Sequence, residues 1–197
     1  MQILLIRHGE SEADLLGVHE GRADYPLTTT GFDQVRKMAS RVRNEFPPEF
    51  IWASTLQRAG KTVEILAAAI GCPVEYTDQL QEHNNGDMAG RLLSEVEFPR
   101  HALAHEKLGG FGESRIEFRA RAESIFSTLV KQSEAYNRIA IVSHGGMISR
   151  LIDCFLQLPV HHNVFFHTAD TGIHLLEYNS EGRSVKFTNC ASHLNSS

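Results

Sequence analysis

Gln2-Ile3-Leu4-Leu5-Ile6 is a short apolar run that ends at Arg7 and His8, the pattern of a strand buried on both faces of an α/β sheet. The residues after it therefore sit at a strand's carboxyl end. From Thr30 to about Phe46, Phe32, Val35, Met38, Ala39 and Val42 recur at helical spacing, and Pro47-Pro48 ends the helix. Phe50 to Ala53 predicts a second strand. From Leu56 to Ile70, Ala59, Val63, Leu66, Ala67 and Ile70 form another amphipathic face, stopped by Gly71. Pro73 to Tyr76 predicts a third, short strand. Between residues 82 and 112 the glycines Gly86, Gly90, Gly109, Gly110 and Gly112 break any period, predicting loops around a short helix from about Leu92 to Lys107. A longer helix is predicted from about Ser114 to Glu134, then a strand over Arg138 to Val142 and a helix from Met147 to Leu156. Gly172 to Tyr178 and Ser184 to Asn189 predict edge strands of a hairpin through Gly182, and roughly the last seven residues are expected to fray. This alternation of strand and helix predicts a three-layer α/β/α sandwich with a mostly parallel central sheet, one domain over residues 1–197.

The chain has 197 residues, 42% hydrophobic and 22% charged, which is enough to bury a sizeable core and excludes a disordered or fibrous protein. A net charge of −5 gives no general electrostatic attraction to nucleic acid or to an anionic membrane. Any anion site must be local. The amino-terminal apolar run is too short for a signal peptide core or a membrane span, so the expected compartment is the cytoplasm. Cys72, Cys154 and Cys190 form no CxxC pair, which points to reduced structural thiols rather than to a disulfide framework or a zinc knuckle.

Two predicted strand ends deliver histidines, Arg7-His8-Gly9 at the first and Ser143-His144-Gly145-Gly146 at a later one, where sheet topology places binding sites. Arg7-His8-Gly9-Glu10-Ser11 resembles the R-H-G-E-[ST] signature of the histidine phosphatase superfamily. Further elements follow in that family's order. Pro26-Leu27-Thr28 with Gly31 is similar to P-L-T-x-x-G, and Ser54 to Thr62 is similar to S-x-L-x-R-A-x-x-T. Glu82 with Gly86 and Gly90, Gly112-Glu113-Ser114, and Val142 to Gly146 are similar to the remaining motifs, so the resemblance covers roughly residues 2 to 178.

That resemblance implies the phosphoglycerate mutase-like fold and a site without metal or cofactor. His8 would be the nucleophile, since a neutral imidazole nitrogen can attack phosphorus, with its other nitrogen held by a backbone carbonyl just downstream. Arg7 and Arg58 would grip the phosphate with guanidinium forks, His144 would donate to a phosphate oxygen and is expected to be protonated, and Gly145 beside it is a further substrate-binding candidate. Glu82 would protonate the leaving oxygen and activate water. Ser11 is expected either to donate to phosphate or to cap the following helix, and Arg22 is a further candidate phosphate contact. Asp14 stands where the family commonly carries asparagine. A carboxylate cannot donate to phosphate, so Asp14 must be protonated, paired with an arginine or turned away.

Other constellations are weaker. His101 and His105 have the i, i+4 spacing of a helical metal pair but lack the HExxH glutamate and a third ligand, and His161, His162 and His167 show no metal geometry. The expected activity is hydrolysis of a small phosphomonoester. Phosphoglycerate mutase-type transfer is the second reading and a non-catalytic phosphate-binding module the third. Mutases carry E-R-H-Y-G around the acid where this chain has Glu82-His83-Asn84-Asn85-Gly86, and the missing arginine removes a partner for a glycerate carboxylate.

Overall fold

The computed structural model describes residues 1–99, 103–160, 162 and 164–195. Six strands form one sheet in the order β3-β2-β4-β1-β5-β6. They are β1 (Gln2–Arg7), β2 (Phe50–Ser54), β3 (Val74–Thr77), β4 (Arg138–Ser143), β5 (Ile173–Asn179) and β6 (Gly182–Cys190). The first four in space run parallel, whereas β5 is antiparallel to β1 and β6 antiparallel to β5.

Alternation within the parallel strands separates two cores. Ile3, Leu5, Trp52, Ile139 and Ile141 point to one face, under α4 (Arg115–Gln132) and α5 (Gly145–Leu156). Leu4, Ile6, Ile51, Ala53, Ala140 and Val142 point to the other, under α2 (Thr29–Glu45) and α3 (Gln57–Ile70). The three layers follow from apolar residues at every strand position. A five-residue helix, α1 (Glu12–Leu16), leaves the loop after β1.

Register places the chemistry. β1 and β4 pair from Gln2↔Arg138 to Arg7↔Ser143, so His8 and His144 are the next residue on each of two adjacent parallel strands. β2 pairs with β4 through Ala53↔Val142, which brings Ser54 to the same edge.

Three expectations need correction. β5 lies inside the sheet, its Ile173 and Leu176 buried beside β1, and of the hairpin's two strands β6 alone is at an edge. In the stretch expected to be a helix from Leu92 to Lys107, the described residues form turns and isolated bridges. Leu92, Leu93 and Leu103 stay exposed there, so no apolar stripe holds a helix down, and residues 100–102, His101 among them, lie outside the described residues. The carboxyl end is not frayed up to residue 195, because Ser192–Asn195 form a 3-10 turn whose buried His193 meets the Thr171 hydroxyl at 2.8 Å. Among the described residues, no helix is long and apolar enough to cross a membrane.

Pro26-Leu27-Thr28 and Gly31 brace the loop after β1. Thr28 N–H donates to the Glu10 carbonyl at 3.0 Å, its hydroxyl donates to Glu10 Oε1 at 2.6 Å, and that hydroxyl also accepts Gly31 N–H at 2.9 Å as the cap of α2. Gly31 lies so close that a Cβ there would overlap the Glu10 carbonyl oxygen. Gly31→Ala is therefore expected to lower unfolding free energy by about 1–3 kcal/mol through overpacking. A urea midpoint equal to that of the wild type would show that this contact is dispensable.

Candidate active site

His8 is fully buried at the end of β1. Its Nδ1 lies 2.7 Å from the Gly9 carbonyl, and its Nε2 lies 3.1 Å from Arg58 Nε. A carbonyl only accepts and a guanidinium only donates, so the two contacts together put the proton on Nδ1 and leave the lone pair on Nε2. Burial pushes the His8 pKa well below the ordinary histidine value, and the charges of Arg58 and Arg7 push it further, against a small opposing effect of the Gly9 bond. The imidazole is neutral.

Arg58 opens α3 and is buried to the same degree. Its fork is filled by the chain between β1 and α2, with Nη1 donating to the Ala23 carbonyl at 2.8 Å and Nη2 to the Gly21 carbonyl at 3.0 Å. Arg7 donates to the Thr168 carbonyl at 2.9 Å and pairs with Asp170 at 3.2 Å. His144 caps α5, its ring centroid 5.1 Å from that of His8 and its Nε2 2.8 Å from the Ser54 hydroxyl. The expectation of a protonated His144 is corrected. Burial first, then Arg58, His8 and Arg7, hold its pKa well below the ordinary value, so both histidines of the cluster are neutral. Two buried nitrogens among these groups, Arg7 Nε and His144 Nδ1, have no hydrogen-bond partner among the described residues. Such groups are costly unless something else satisfies them.

Glu82 reaches this cluster from the loop after β3. Its Oε2 accepts Gly146 N–H at 2.8 Å at the start of α5, and its Oε1 accepts His83 N–H at 2.7 Å. A Cβ at 146 would stand 2.5 Å from Glu82 Oε1, so a side chain there would displace the carboxylate. A Cβ at Gly145 would lie 3.9 Å from Arg7 Cδ and Nε, an ordinary contact. The Glu82 loop is clamped from behind by Arg121, which donates to the carbonyls of Gln79 at 2.7 Å, Gln81 at 2.8 Å and Glu82 at 3.0 Å. Arg121 in turn grips Glu113, whose carboxyl pKa stays below the ordinary value because Arg121 and Asn84 N–H outweigh the opposing burial. Arg22 joins this clamp, donating to the Glu82 carbonyl at 3.3 Å and pairing with Glu113 at 3.4 Å, which is a different place from the phosphate contact expected of it.

Ser11 and Asp14 cap α1. Asp14 Oδ2 accepts Ser11 N–H at 2.9 Å, and Asp14 Oδ1 lies 3.8 Å from Arg7 Nη2, so of its three options Asp14 takes the pairing with arginine. The Ser11 hydroxyl donates to Glu20 Oε1, and Glu20 also faces Arg58 at 3.5 Å. Sequence reasoning missed Glu20, Arg121 and Asp170. Glu113 and Gly21 sit inside or beside motifs and were legible by position, but no local pattern marks the other three. Of the remaining histidines, His162 pairs with the buried Asp153 at 3.2 Å, while His101 and His161 lie outside the described residues. Among the described residues no group of three or more His, Cys, Asp or Glu is arranged to hold a metal ion.

Comparison with known proteins places the chain in a family. Residues 3–191 match the model of the histidine phosphatase superfamily (branch 1). A curated relative from Photorhabdus laumondii, described as a probable phosphoglycerate mutase GpmB, is 34% identical over 168 residues, covering 82% of this chain and 77% of the relative. Among solved structures, the alpha-ribazole phosphatase of Shigella flexneri superposes with a TM-score of 0.84 at 25% identity, covering 97% of both chains. A phosphoserine phosphatase of Entamoeba histolytica in complex with 3-phosphoglyceric acid does so with a TM-score of 0.83 at 26% identity, covering 98% of both.

The neutral histidines set a pH dependence. In the unfolded chain His8 and His144 take up protons near pH 6.5, whereas in the folded chain they stay neutral well below it. His174 and His193, both lowered to about 4 by burial, act in the same sense. Below pH 6.5 the unfolded state binds more protons, so unfolding free energy decreases as the pH is lowered. The urea midpoint should drop between pH 7.5 and 5.5 while ring resonances of His8 and His144 show no titration. A His8 midpoint at 6.5 or above would contradict the neutral site.

Proposed function

The chain belongs to the histidine phosphatase superfamily, branch 1, and from that premise we propose that it hydrolyses a small phosphomonoester, without a metal ion, through a phosphohistidine on His8. The observation that carries the proposal is the lone pair of His8 Nε2, fixed by Gly9 and Arg58 beside two buried nitrogens, Arg7 Nε and His144 Nδ1, that lack partners among the described residues; the first is a donor, and the second is one when the ring carries its proton there. A phosphoryl group bonded to Nε2 would give those donors oxygens to bind.

In the first step Nε2 attacks phosphorus as the ester P–O bond breaks, and Glu82 supplies a proton to the leaving oxygen. Arg7, Arg58 and His144 hold the three non-bridging oxygens, and negative charge arriving there favours a protonated imidazole at His144. In the second step Glu82 takes a proton from water as its oxygen attacks the phosphoryl group. The N–P bond breaks, and inorganic phosphate leaves with neutral His8 restored.

The curated relatives' description favours a second reading, phosphoryl transfer between positions of a phosphoglycerate. Against it stands His83 in the place of the mutases' arginine. Its ring stacks on Phe118 at 4.4 Å and 3°, its Nε2 lies 3.0 Å from the Glu113 carbonyl, and burial lowers its pKa. It offers a glycerate carboxylate no cation. A cavity of about 960 Å³, lined by Glu82, His83, Leu93, Phe98, Ile116 and Phe165, adjoins the acid and leaves room for leaving groups larger than glycerate.

His8→Ala should abolish phosphate release with the fold intact, and turnover by that variant at a rate near the wild type's would sink the nucleophile. Glu82→Gln should slow alkyl phosphates by ~100-fold or more but affect the burst from 4-nitrophenyl phosphate much less, since an aryl oxygen leaves without an acid. Gly146→Ala should reproduce that split by displacing the carboxylate. Equal slowing of both substrates would remove Glu82 as the acid. With 3-phosphoglycerate and a 2,3-bisphosphoglycerate primer, isomerisation with negligible phosphate release would move the chain to the mutase reading.

A further inference from the structure

Glu20 occupies a position that the reaction as described does not use. Its Oε2 lies 3.9 Å from His8 Nε2, and its Oε1 lies 3.5 Å from Arg58 Nε and accepts the Ser11 hydroxyl. A phosphoryl group at bonding distance from His8 Nε2, with an oxygen on the Arg58 guanidinium, has to enter that same space. At least one of its oxygens then faces the Glu20 carboxylate. The Ser11 hydroxyl carries one proton, already directed at Glu20, and cannot separate the two oxyanions.

The surroundings do not rescue a doubly charged ligand. Arg58 from α3 and His8 from the end of β1 face Glu20 directly, Arg7 pairs with Asp14 and Asp170, Arg58 also feels the charges of Glu82 and Asp24, and Asp170 those of Glu10 and Glu20. Glu20, Asp14, Asp170, Glu82, Glu10 and Asp24 thus outnumber the guanidinium groups of Arg7 and Arg58, and both histidines are neutral before a ligand binds. Two facing oxyanions repel unless a proton lies between them, and a phosphomonoester can bring one, since its second pKa is about 6.

We propose that Glu20 is a specificity-determining residue that makes the site take its phosphate group in the singly protonated, monoanionic form, with the P–OH donating to the Glu20 carboxylate. The inference rests on reading the His8 cluster as a phosphate site. The complex holds one proton more than a dianion and a carboxylate would, whichever oxygen carries it. Charge favours this arrangement, because the monoanion adds one negative charge to the cluster where the dianion would add two.

Binding of two tetrahedral ions to the full chain tests it. Inorganic phosphate gains or loses a proton between pH 6.5 and 8.5, and sulfate stays a dianion. For the wild type, phosphate affinity measured by calorimetry should fall by about tenfold per pH unit once the ion's second proton is lost, and sulfate should bind at least about tenfold more weakly than phosphate at pH 6.5. In Glu20→Gln, whose amide can donate, the phosphate slope should flatten, affinity at pH 8.5 should rise by about tenfold or more, and sulfate should bind comparably to phosphate. Glu20→Ala should also flatten the slope, which covers a failure of the glutamine variant to fold. If phosphate binds with the same pH slope in wild type and both variants, or if the variants bind it more weakly at every pH, the proposal falls while the phosphate site stands. If neither ion binds any of the three proteins, the phosphate site falls as well.

Discussion

The hydrogen bond from His8 Nδ1 to the Gly9 carbonyl, 2.7 Å long, is the interaction on which the rest of the site depends. It decides which ring nitrogen carries the proton, and Arg58 Nε, 3.1 Å from the other nitrogen, reads out that decision. Reversing the tautomer would set two donors against each other at Nε2 and two acceptors at Nδ1. The neutral, singly oriented ring is thus a property of the fold before any ligand arrives, and preorganisation of this kind avoids a cost at the moment of reaction.

Holding that ring explains much of the surrounding architecture. A Cβ at Gly9 would stand 2.6 Å from the Gly31 carbonyl oxygen, so the loop after β1 packs directly on the start of α2. Arg58, buried without any exposure, is tolerated because the carbonyls of Gly21 and Ala23 fill its fork and Glu20 lies beside it. The chain between β1 and α2 therefore wraps the guanidinium, and the same wrapping brings the Glu20 carboxylate in front of His8. On the opposite side, Arg121 holds three carbonyls and Glu113, which fixes where Glu82 enters. The Arg58 guanidinium and the Glu82 carboxylate are thus held by separate sets of hydrogen bonds.

The layered fold was legible because Ile3 to Ile6 and Ile139 to Val142 are apolar at every position, which only a sheet covered on both faces accommodates. The two histidines were legible because each follows such a run directly. The short helix expected near Leu92 misled, since hydrophobic residues recur there without a buried face to receive them. Arg22 and Arg121 exchange importance between sequence and structure for a related reason. Both are single arginines, and only the placement of the Gln79 to Glu82 carbonyls, a long-range outcome of packing, tells which one braces the acid and from which side. Glu20 carried no signal because its meaning lies in its distance to His8 and Arg58, residues 12 and 38 positions away in the chain.

The account's central claim is that His8 is phosphorylated at the nitrogen left free by the Gly9 bond. Rapid alkaline quenching during turnover, followed by phosphorus NMR and fragmentation of the labelled peptide, identifies both the residue and the ring nitrogen. Phosphate on Nε2 of His8, formed and lost at rates compatible with turnover, is the predicted result. Phosphate on Nδ1, on His144, or on no histidine at all would contradict it.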